Sequence, residues 1–277
     1  MKTILVANDF SKNAEHALKY ALVFAKKLNS GIHLIWVDNT LSDEITIDTI
    51  DRELRKEIKS YADKLIEKYQ PRLENGKIEM LFRKGRVYQE VTKAARQIKA
   101  EMIFAGTHGV SGFEQYWIGS NAYRIVTQAP CPVVTIRGEY SFKPSISNIL
   151  LPLDSSLETR QKLPYTCELA INFGAKIHLL AIYNTPLNVV RKRIDSIAKE
   201  AERCMKTKKV DYVIKHLKVD NVAPSIVDYS LKNDIDIITI MTDQGTTTAN
   251  KFLGPYAQQL INNSSVPVMS VRSKEYR

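Results

Sequence analysis

The stretch MIFAGTHGVSGFEQYWIGSNAYRIVTQAPCPVVTIR, residues 102–137, decides the fold. It opens with a short apolar run of the length of a buried strand, and glycines recur from Gly106 to Gly119. The segment NAYRIVTQA, residues 121–129, has helical spacing, and a second buried strand, residues 133–136, follows a pair of prolines. The order is therefore strand, glycine-rich loop, helix, strand.

This order favours a phosphate site between the first strand and the helix. Glycine has no Cβ, so the backbone can turn tightly and approach a ligand closely. The first turn of the helix carries unpaired N–H groups and the positive end of the helix dipole, which together attract anions. Ser120 can either cap the helix or offer its hydroxyl to a phosphate oxygen. A plain surface turn is the alternative, because short glycine patterns are common.

Length and composition indicate a soluble globular protein. The chain has 277 residues, of which 44% are hydrophobic and 25% charged, and it is long enough for two domains. The sequence has no apolar run near the ~20 residues that span a bilayer, so we expect no membrane partner. The three cysteines, Cys131, Cys167 and Cys204, are far apart and lack metal-ligand spacing. We expect a cytoplasmic location and no bound metal on the protein itself.

The net charge of +10 does not point to nucleic acid. Residues 1–138 hold 21 Lys and Arg against 16 Asp and Glu, and the remainder holds 19 against 14, so each half carries +5. A nucleic-acid module usually concentrates its charge on one face or arm. The even spread favours a solvated basic surface without a specific nucleic-acid partner.

The chain repeats itself. ILVANDFS at residues 4–11 matches ILLPLDSS at residues 149–156, and both place an aspartate after a short apolar strand at an offset of 145. Further along the offset becomes 135, so that Gly254 falls on Gly119. A repeat of this length indicates a pair of domains rather than a solenoid. We place the domains at residues 1–138 and 148–277, joined by a linker at residues 139–147.

Each half alternates strands and helices through five strands, which predicts an α/β fold. We expect two doubly wound, Rossmann-like domains related by an approximate twofold axis. Each would be a separate five-stranded parallel sheet of order 3-2-1-4-5 flanked by helices. Ligands bind such sheets beyond the carboxyl ends of the strands, where the strand order reverses. Asp9, Gly106 and Val37 end or follow strands one, four and two at that edge.

Both halves resemble the universal stress protein (UspA-like) family, as a tandem pair that covers essentially the whole chain. The first half is similar to the ATP-binding branch of that family. The resemblance rests on ANDFS at the end of strand one, on the pattern G-x2-G-x9-G-S that begins at Gly106, and on the strand PCPVVTI. It implies that Asp9 lies by the adenosine and that Val37 contacts the adenine. It also implies that the glycine loop wraps the ribose and the phosphates. The expected binding residues are Ala7, Asn8, Asp9, Val37, Ala105, Gly106, His108, Gly109, Gly119, Ser120 and Asn121.

The sequence departs from this family pattern in both halves. ATP-binding members often carry a second hydroxyl where this chain has Ala122. In the second half, Met241 and Gln244 replace the first two glycines, and Pro255 replaces the serine. Proline has neither the hydroxyl nor the backbone N–H. We therefore expect nucleotide binding in the first half alone.

The predicted function is a stress-response module that binds ATP or another adenine nucleotide, with or without Mg²⁺, and signals through its occupancy. The sequence has no evident acid and base pair, so we expect no catalytic residues. Two alternatives remain open: a nucleotide-free interaction scaffold, and a slow ATPase or autophosphorylating protein. The expected partners are the nucleotide, an unidentified client protein and the other half of the chain. Family members pair through the last strand, and here that strand is available for pairing within the chain or in a homodimer.

Overall fold

The computed structural model describes residues 2–39, 48–107, 118–138, 141–156, 158–242 and 253–273. Within these ranges the chain forms ten strands and eight α-helices. The strands are β1 (Lys2–Ala7), β2 (Ser30–Asp38), β3 (Ile78–Lys84), β4 (Met102–Gly106), β5 (Val133–Ile136), β6 (Asn148–Leu153), β7 (Lys176–Tyr183), β8 (Tyr212–Lys218), β9 (Ile237–Met241) and β10 (Val268–Val271). The helices are α1 (Lys12–Leu28), α2 (Asp48–Tyr69), α3 (Val87–Gln97), α4 (Ser120–Gln128), α5 (Leu163–Phe173), α6 (Asn188–Thr207), α7 (Val222–Lys232) and α8 (Pro255–Asn263).

The strands form a mostly parallel sheet in the order β3-β2-β1-β4-β5-β10-β9-β6-β7-β8. Each half of this sheet is consistent with the predicted 3-2-1-4-5 order. β1 pairs with both β2 and β4, so the carboxyl ends of strands one, two and four are neighbours at one edge. The strand order reverses between β1 and β4, which is the position where sheets of this kind bind ligands.

The expectation of two separate sheets is wrong. β5 and β10 pair antiparallel, with Met269 opposite Val134, and this pairing joins the two halves into one ten-stranded sheet. The pairing of the last strands within the chain is therefore present. All other neighbouring strands in the described sheet are parallel, because each connection within a half crosses over through a helix.

Helices cover both faces of the sheet, and each face has its own apolar core that runs across the two halves. On one face, Phe24 of α1 packs edge-on against Phe104 and Phe173, with ring centroids 5.0 Å apart in each pair. Phe173 belongs to the second half, so this contact ties the halves together on the α1 side. The runs of buried residues in the strands explain this arrangement, because strands covered on both faces are continuously apolar.

The segment between the halves is held in place by a buried carboxylate. Asp236 accepts hydrogen bonds from Lys143 Nζ at 2.8 Å, from Ser147 N at 2.7 Å and from Asn148 N at 2.9 Å. A carboxylate that accepts from an ammonium and two backbone N–H groups is well compensated for its burial. The start of the second half is thereby fixed against the turn that precedes β9.

Two local features of the second half stand out. Helix α5 begins only at Leu163, and residues Glu158–Lys162 before it form a 3-10 turn. Two of the cysteines, which are far apart in sequence, are brought together between α5 and α6. Burial and a hydrogen bond with Cys204 raise the pKa of the Cys167 thiol to about 12.

Candidate functional site

An open cleft of about 440 Å³ lies at the carboxyl ends of β1, β2 and β4 and at the start of α4. Its volume falls within the range of small-molecule sites in proteins. Nine of the eleven predicted binding residues line it: Ala7, Asn8, Asp9, Val37, Ala105, Gly106, Gly119, Ser120 and Asn121. The other two, His108 and Gly109, lie outside the described residues. The fold therefore brings together residues from four separate parts of the sequence.

The turn between β1 and α1 forms one wall of the cleft. Asn8 Oδ1 accepts a hydrogen bond from Phe10 N, and Asp9 Oδ1 accepts one from Ser11 N, both at 3.0 Å. These bonds hold Phe10 at a φ of 61°, a left-handed conformation that is uncommon for a side chain of this size. Ser11 caps α1 by accepting from Ala14 N at 3.1 Å. The short polar residues of ANDFS thus build a rigid turn.

The amide group of Asn8 also carries an unused donor. Asn8 is 7% exposed, and its Nδ2 atom has no hydrogen-bond partner in the described parts of the chain. A buried amide donor without a partner is costly, and most such groups in native proteins are paired. Asn8 lines the cleft, so a bound ligand whose acceptor atom reaches Nδ2 would satisfy this donor.

The start of α4 forms the opposite wall. The N-cap of this helix is Gly119, and no described side chain caps it. Ser120 is the first helical residue, so the alternative in which Ser120 caps the helix is wrong. Ser120 and Asn121 are both exposed, and their side chains and backbone N–H groups lie at the positive end of the helix dipole. An anion in the cleft would meet these groups first.

The floor of the cleft is apolar. Ile35 and Val37 from β2 and Val91 from α3 line it together with Ala105. This surface suits the flat face of an aromatic ring. Several lining residues were not among the predicted binding residues, and Trp36, Asn39 and Thr107 are examples. Thr107 and Asn39 each directly follow a strand that ends at this edge, so their positions in the sequence could have marked them as lining residues.

The cleft contains little charge. Among the described residues that line it, Asp9 is the only one with an ionisable side chain. The nearest cation in sequence, Arg124, lies over the ring of Tyr88 with its guanidinium carbon 4.9 Å from the ring centroid. The described residues also contain no group of three or more His, Cys, Asp or Glu arranged to hold a metal ion. Within the same residues, no helix combines the length and the apolar character that crossing a membrane requires.

The equivalent place in the second half is nearly filled. A cavity of only about 30 Å³ remains there, lined by Leu153, Asp154, Lys162, Met241 and Tyr256 among others. The last of these stands where the first half has Asn121. Lys162 is 4% exposed, and burial lowers the pKa of its ammonium to about 8, an effect that Asp154 opposes.

The family comparison agrees with this repeated architecture. The family model described as the universal stress protein family matches the chain twice, over residues 1–137 and 145–272. These two matches cover most of the chain. The protein therefore belongs to the universal stress protein family and carries two such domains in tandem.

Three proteins illustrate what the chain is similar to. A Staphylococcus aureus (strain USA300) protein named as a universal stress protein is 27% identical over 165 residues, which cover 54% of this chain and 94% of the relative. The crystal structure of a universal stress protein from Archaeoglobus fulgidus DSM 4304 is 18% identical, with a TM-score of 0.77 over 98% of this chain and 96% of that one. A universal stress protein solved in complex with cAMP is similar to 49% of this chain and covers 96% of its own, with 18% identity and a TM-score of 0.40.

Proposed function

We propose that the first half binds one adenine nucleotide, with ATP as the preferred ligand, and that a partner protein responds to the occupied site. The single observation that carries the proposal is the cleft of about 440 Å³, because nine residues expected from the sequence converge on it. No catalytic role is assigned to any of them.

The two ends of the cleft suit the two ends of a nucleotide. The apolar floor at Ile35, Val37 and Val91 accommodates a purine, and Asp9 accepts hydrogen bonds from sugar hydroxyls. The exposed start of α4, at Ser120 and Asn121, donates to phosphate oxygens. The orientation follows from this chemistry, because a carboxylate repels phosphate and an uncapped helix start attracts it.

The Asn8 amide gives a test of fit that is independent of the family resemblance. Its buried Nδ2 donor has no partner among the described residues, and Asn8 is one of the residues that line the cleft. Purine nitrogens, sugar oxygens and phosphate oxygens are all acceptors. A nucleotide can therefore supply the missing hydrogen bond, whereas an entirely apolar ligand cannot.

We expect slow hydrolysis of ATP or none. Phosphoryl transfer requires neutralisation of the γ-phosphate charge and a positioned nucleophile. The described lining contains no lysine or arginine, and its single carboxylate, Asp9, is assigned to the sugar. Occupancy rather than turnover would then be the signal that a partner reads.

Titration calorimetry of the full chain with ATP, ADP, AMP and cAMP tests the proposal. We expect one site per chain, with ATP bound most tightly because its longer phosphate chain reaches the start of α4. Two equivalent sites, or no binding of any of the four compounds, would contradict it. Radiolabelled ATP incubated with the same protein measures turnover, and multiple turnovers per minute would show that the protein is an enzyme.

A further inference from the structure

Each half of the chain supplies a side-chain acceptor for a backbone N–H of the other half. In both cases the donor residue directly precedes the N-cap of a helix, α4 in the first half and α8 in the second. In the first half, Ile118 N donates to Asn262 Oδ1 at 2.7 Å, and both residues are buried. Asn262 belongs to α8 of the second half. Ile118 directly precedes Gly119, the N-cap of α4. A residue 144 positions away in the sequence therefore holds the backbone at one edge of the candidate site.

Asn262 is itself fixed from the first half. Its backbone carbonyl accepts a hydrogen bond from Arg137 Nη1, and Arg137 directly follows β5. The side chain and the carbonyl of Asn262 thus make separate bonds to two segments of the first half. A buried residue whose side chain and backbone are both hydrogen-bonded has little freedom, so it can define the position of its partner closely.

A second hydrogen bond, at Gly119, lies next to the one between Ile118 and Asn262. Gly119 N donates to Thr107 O at 2.8 Å, which joins the residue after β4 to the residue before α4. Two consecutive N–H groups, those of Ile118 and Gly119, are therefore bonded within the protein. The N–H groups of Ser120 and Asn121 come next and begin α4. Their direction depends on the backbone that Asn262 and Thr107 hold.

The second half has a related contact made by a different chemical group. Leu253 N, at the position equivalent to Ile118, donates to the hydroxyl of Tyr123 at 3.2 Å. Tyr123 belongs to α4 of the first half. The second-half cavity is nearly filled, so this contact holds a helix start that has no room for a ligand. Comparing the two hydrogen bonds separates an effect on the cleft from a general effect on the fold, because only the bond between Ile118 and Asn262 borders the open cleft.

We propose that Asn262 is a positioning residue for the first-half cleft, through which the second half sets the nucleotide affinity of the first. The inference rests on the proposed function and deepens it by assigning a regulatory role to the second half. Loss of the Asn262 acceptor leaves the buried N–H of Ile118 unsatisfied and frees the start of α4 to shift. By reciprocity, nucleotide binding in the first half stabilises the contact to α8.

The test compares three variants of the full chain by ATP calorimetry, thermal unfolding and amide hydrogen exchange. Asn262→Leu keeps the size of the side chain but has no acceptor, and we expect its Kd for ATP to rise about tenfold. Asn262→Asp keeps an acceptor oxygen and should restore most of the affinity. Tyr123→Phe removes the related bond at Leu253, and its Kd should stay within twofold of the parent even where its Tm falls.

Two results would overturn the inference. One is an Asn262→Leu variant that exchanges the Ile118 amide faster than the parent but binds ATP with an unchanged Kd. The other is a Tyr123→Phe variant that loses as much affinity as Asn262→Leu. If the parent chain binds none of the nucleotides, the proposed function fails and the claim about affinity fails with it, whereas hydrogen exchange still tests whether Asn262 holds the start of α4. Unchanged exchange in Asn262→Leu at the Gly119 and Tyr123 amides, which donate to Thr107 O and Gly119 O, would show that Asn262 does not hold the start of α4.

Discussion

The two halves of this chain share a fold and differ in the space they leave at equivalent strand ends. The first half has a cleft of about 440 Å³, and the second has a cavity of about 30 Å³. A few substitutions account for the difference. Asn8 and Asn121 of the first half correspond to Leu153 and Tyr256 of the second. Polar residues of the cleft wall are thus replaced by larger or apolar side chains that line the small cavity. A duplicated fold can therefore keep its core while the space at one of the two equivalent strand ends is nearly filled.

Gly106 shows how one of these substitutions affects the backbone. A Cβ added at Gly106 would lie 3.2 Å from Asn13 Cβ and 3.3 Å from the Asn13 carbonyl, so this position is closely packed against the start of α1. The second half carries Met241 there, and its first helix starts later, after the 3-10 turn Glu158–Lys162. The backbone that faces this position therefore differs between the two halves.

The largest expected effect concerns the buried lysine of the second half. Lys162 has a pKa of about 8 in the folded protein, below its ordinary 10.5, because burial disfavours the charged ammonium. We expect Lys162→Met to raise the free energy of unfolding by about 3 kcal/mol at pH 7. Between pH 8 and pH 10.5 the unfolded chain binds more protons at this position than the folded chain does. The advantage of the variant is therefore full below about pH 8 and disappears as the pH rises to about 10.5.

Denaturant unfolding of both proteins at pH 7 and at pH 10.5 measures this difference. Other groups that titrate at high pH affect both proteins equally, so only the difference between them is informative. Lys199→Met, at an exposed position of α6, is the matched control and should change stability by less than about 0.5 kcal/mol. A gain that is the same at both pH values would show that the charge of Lys162 is not its cause.

The second prediction transfers a second-half residue into the first half. Ser120→Pro removes a hydroxyl and a backbone N–H at the first position of α4, where the helix does not need that N–H and proline is well tolerated. We expect the Kd for ATP to rise about 100-fold, because two donors to phosphate are lost. Calorimetry gives the affinity, and circular dichroism checks that the helix content is retained.

The matched control is the reverse change, Pro255→Ser. It restores the hydroxyl and the N–H in the second half but leaves Lys162 and Met241 in the cavity. We expect no second binding site from this change. A stoichiometry of two nucleotides per chain would mean that proline alone closes the second site.

The third prediction concerns the buried amide of Asn8. Asn8→Leu introduces the residue of the second half and removes the Nδ2 donor, so the Kd for ATP should rise about tenfold. Asn8→Asp keeps an oxygen that accepts from Phe10 N but also lacks the donor, so it should lose affinity too. Parent-like calorimetry of the Asp variant would show that the amide does not contact the ligand.

The smallest effect is expected from adding a hydroxyl. Ala122 lies in the cleft at the first turn of α4, and the resemblance to ATP-binding relatives implies a hydroxyl at this position. We expect Ala122→Ser to lower the Kd for ATP about threefold, the contribution of one additional weak hydrogen bond. Ala257→Ser at the equivalent position of the second half should leave binding unchanged. An equal gain in both variants would point to a general effect on stability.

Much of the cleft was predictable because strand ends and glycines are local signals. Asp9 follows the apolar run of β1, Gly106 ends β4, and parallel strands bring such positions to one edge of the sheet. The repeat predicted the two domains, and the alternation of strands and helices predicted the α/β fold of each. Trp36 was not predicted as a lining residue because no motif marks it, and the position of β2 beside β1 in the sheet brings it there.

The sequence by itself determined the family, the two-domain repeat and the strand ends that form the cleft, because these depend on hydrophobic pattern and on backbone geometry near each residue. Only the tertiary structure decided how the halves join. The antiparallel pairing of β5 with β10, the bond from Ile118 to Asn262 and the burial of Lys162 connect or enclose residues that are distant in sequence. Their energies depend on which groups meet across an interface, and no local pattern of residues specifies that.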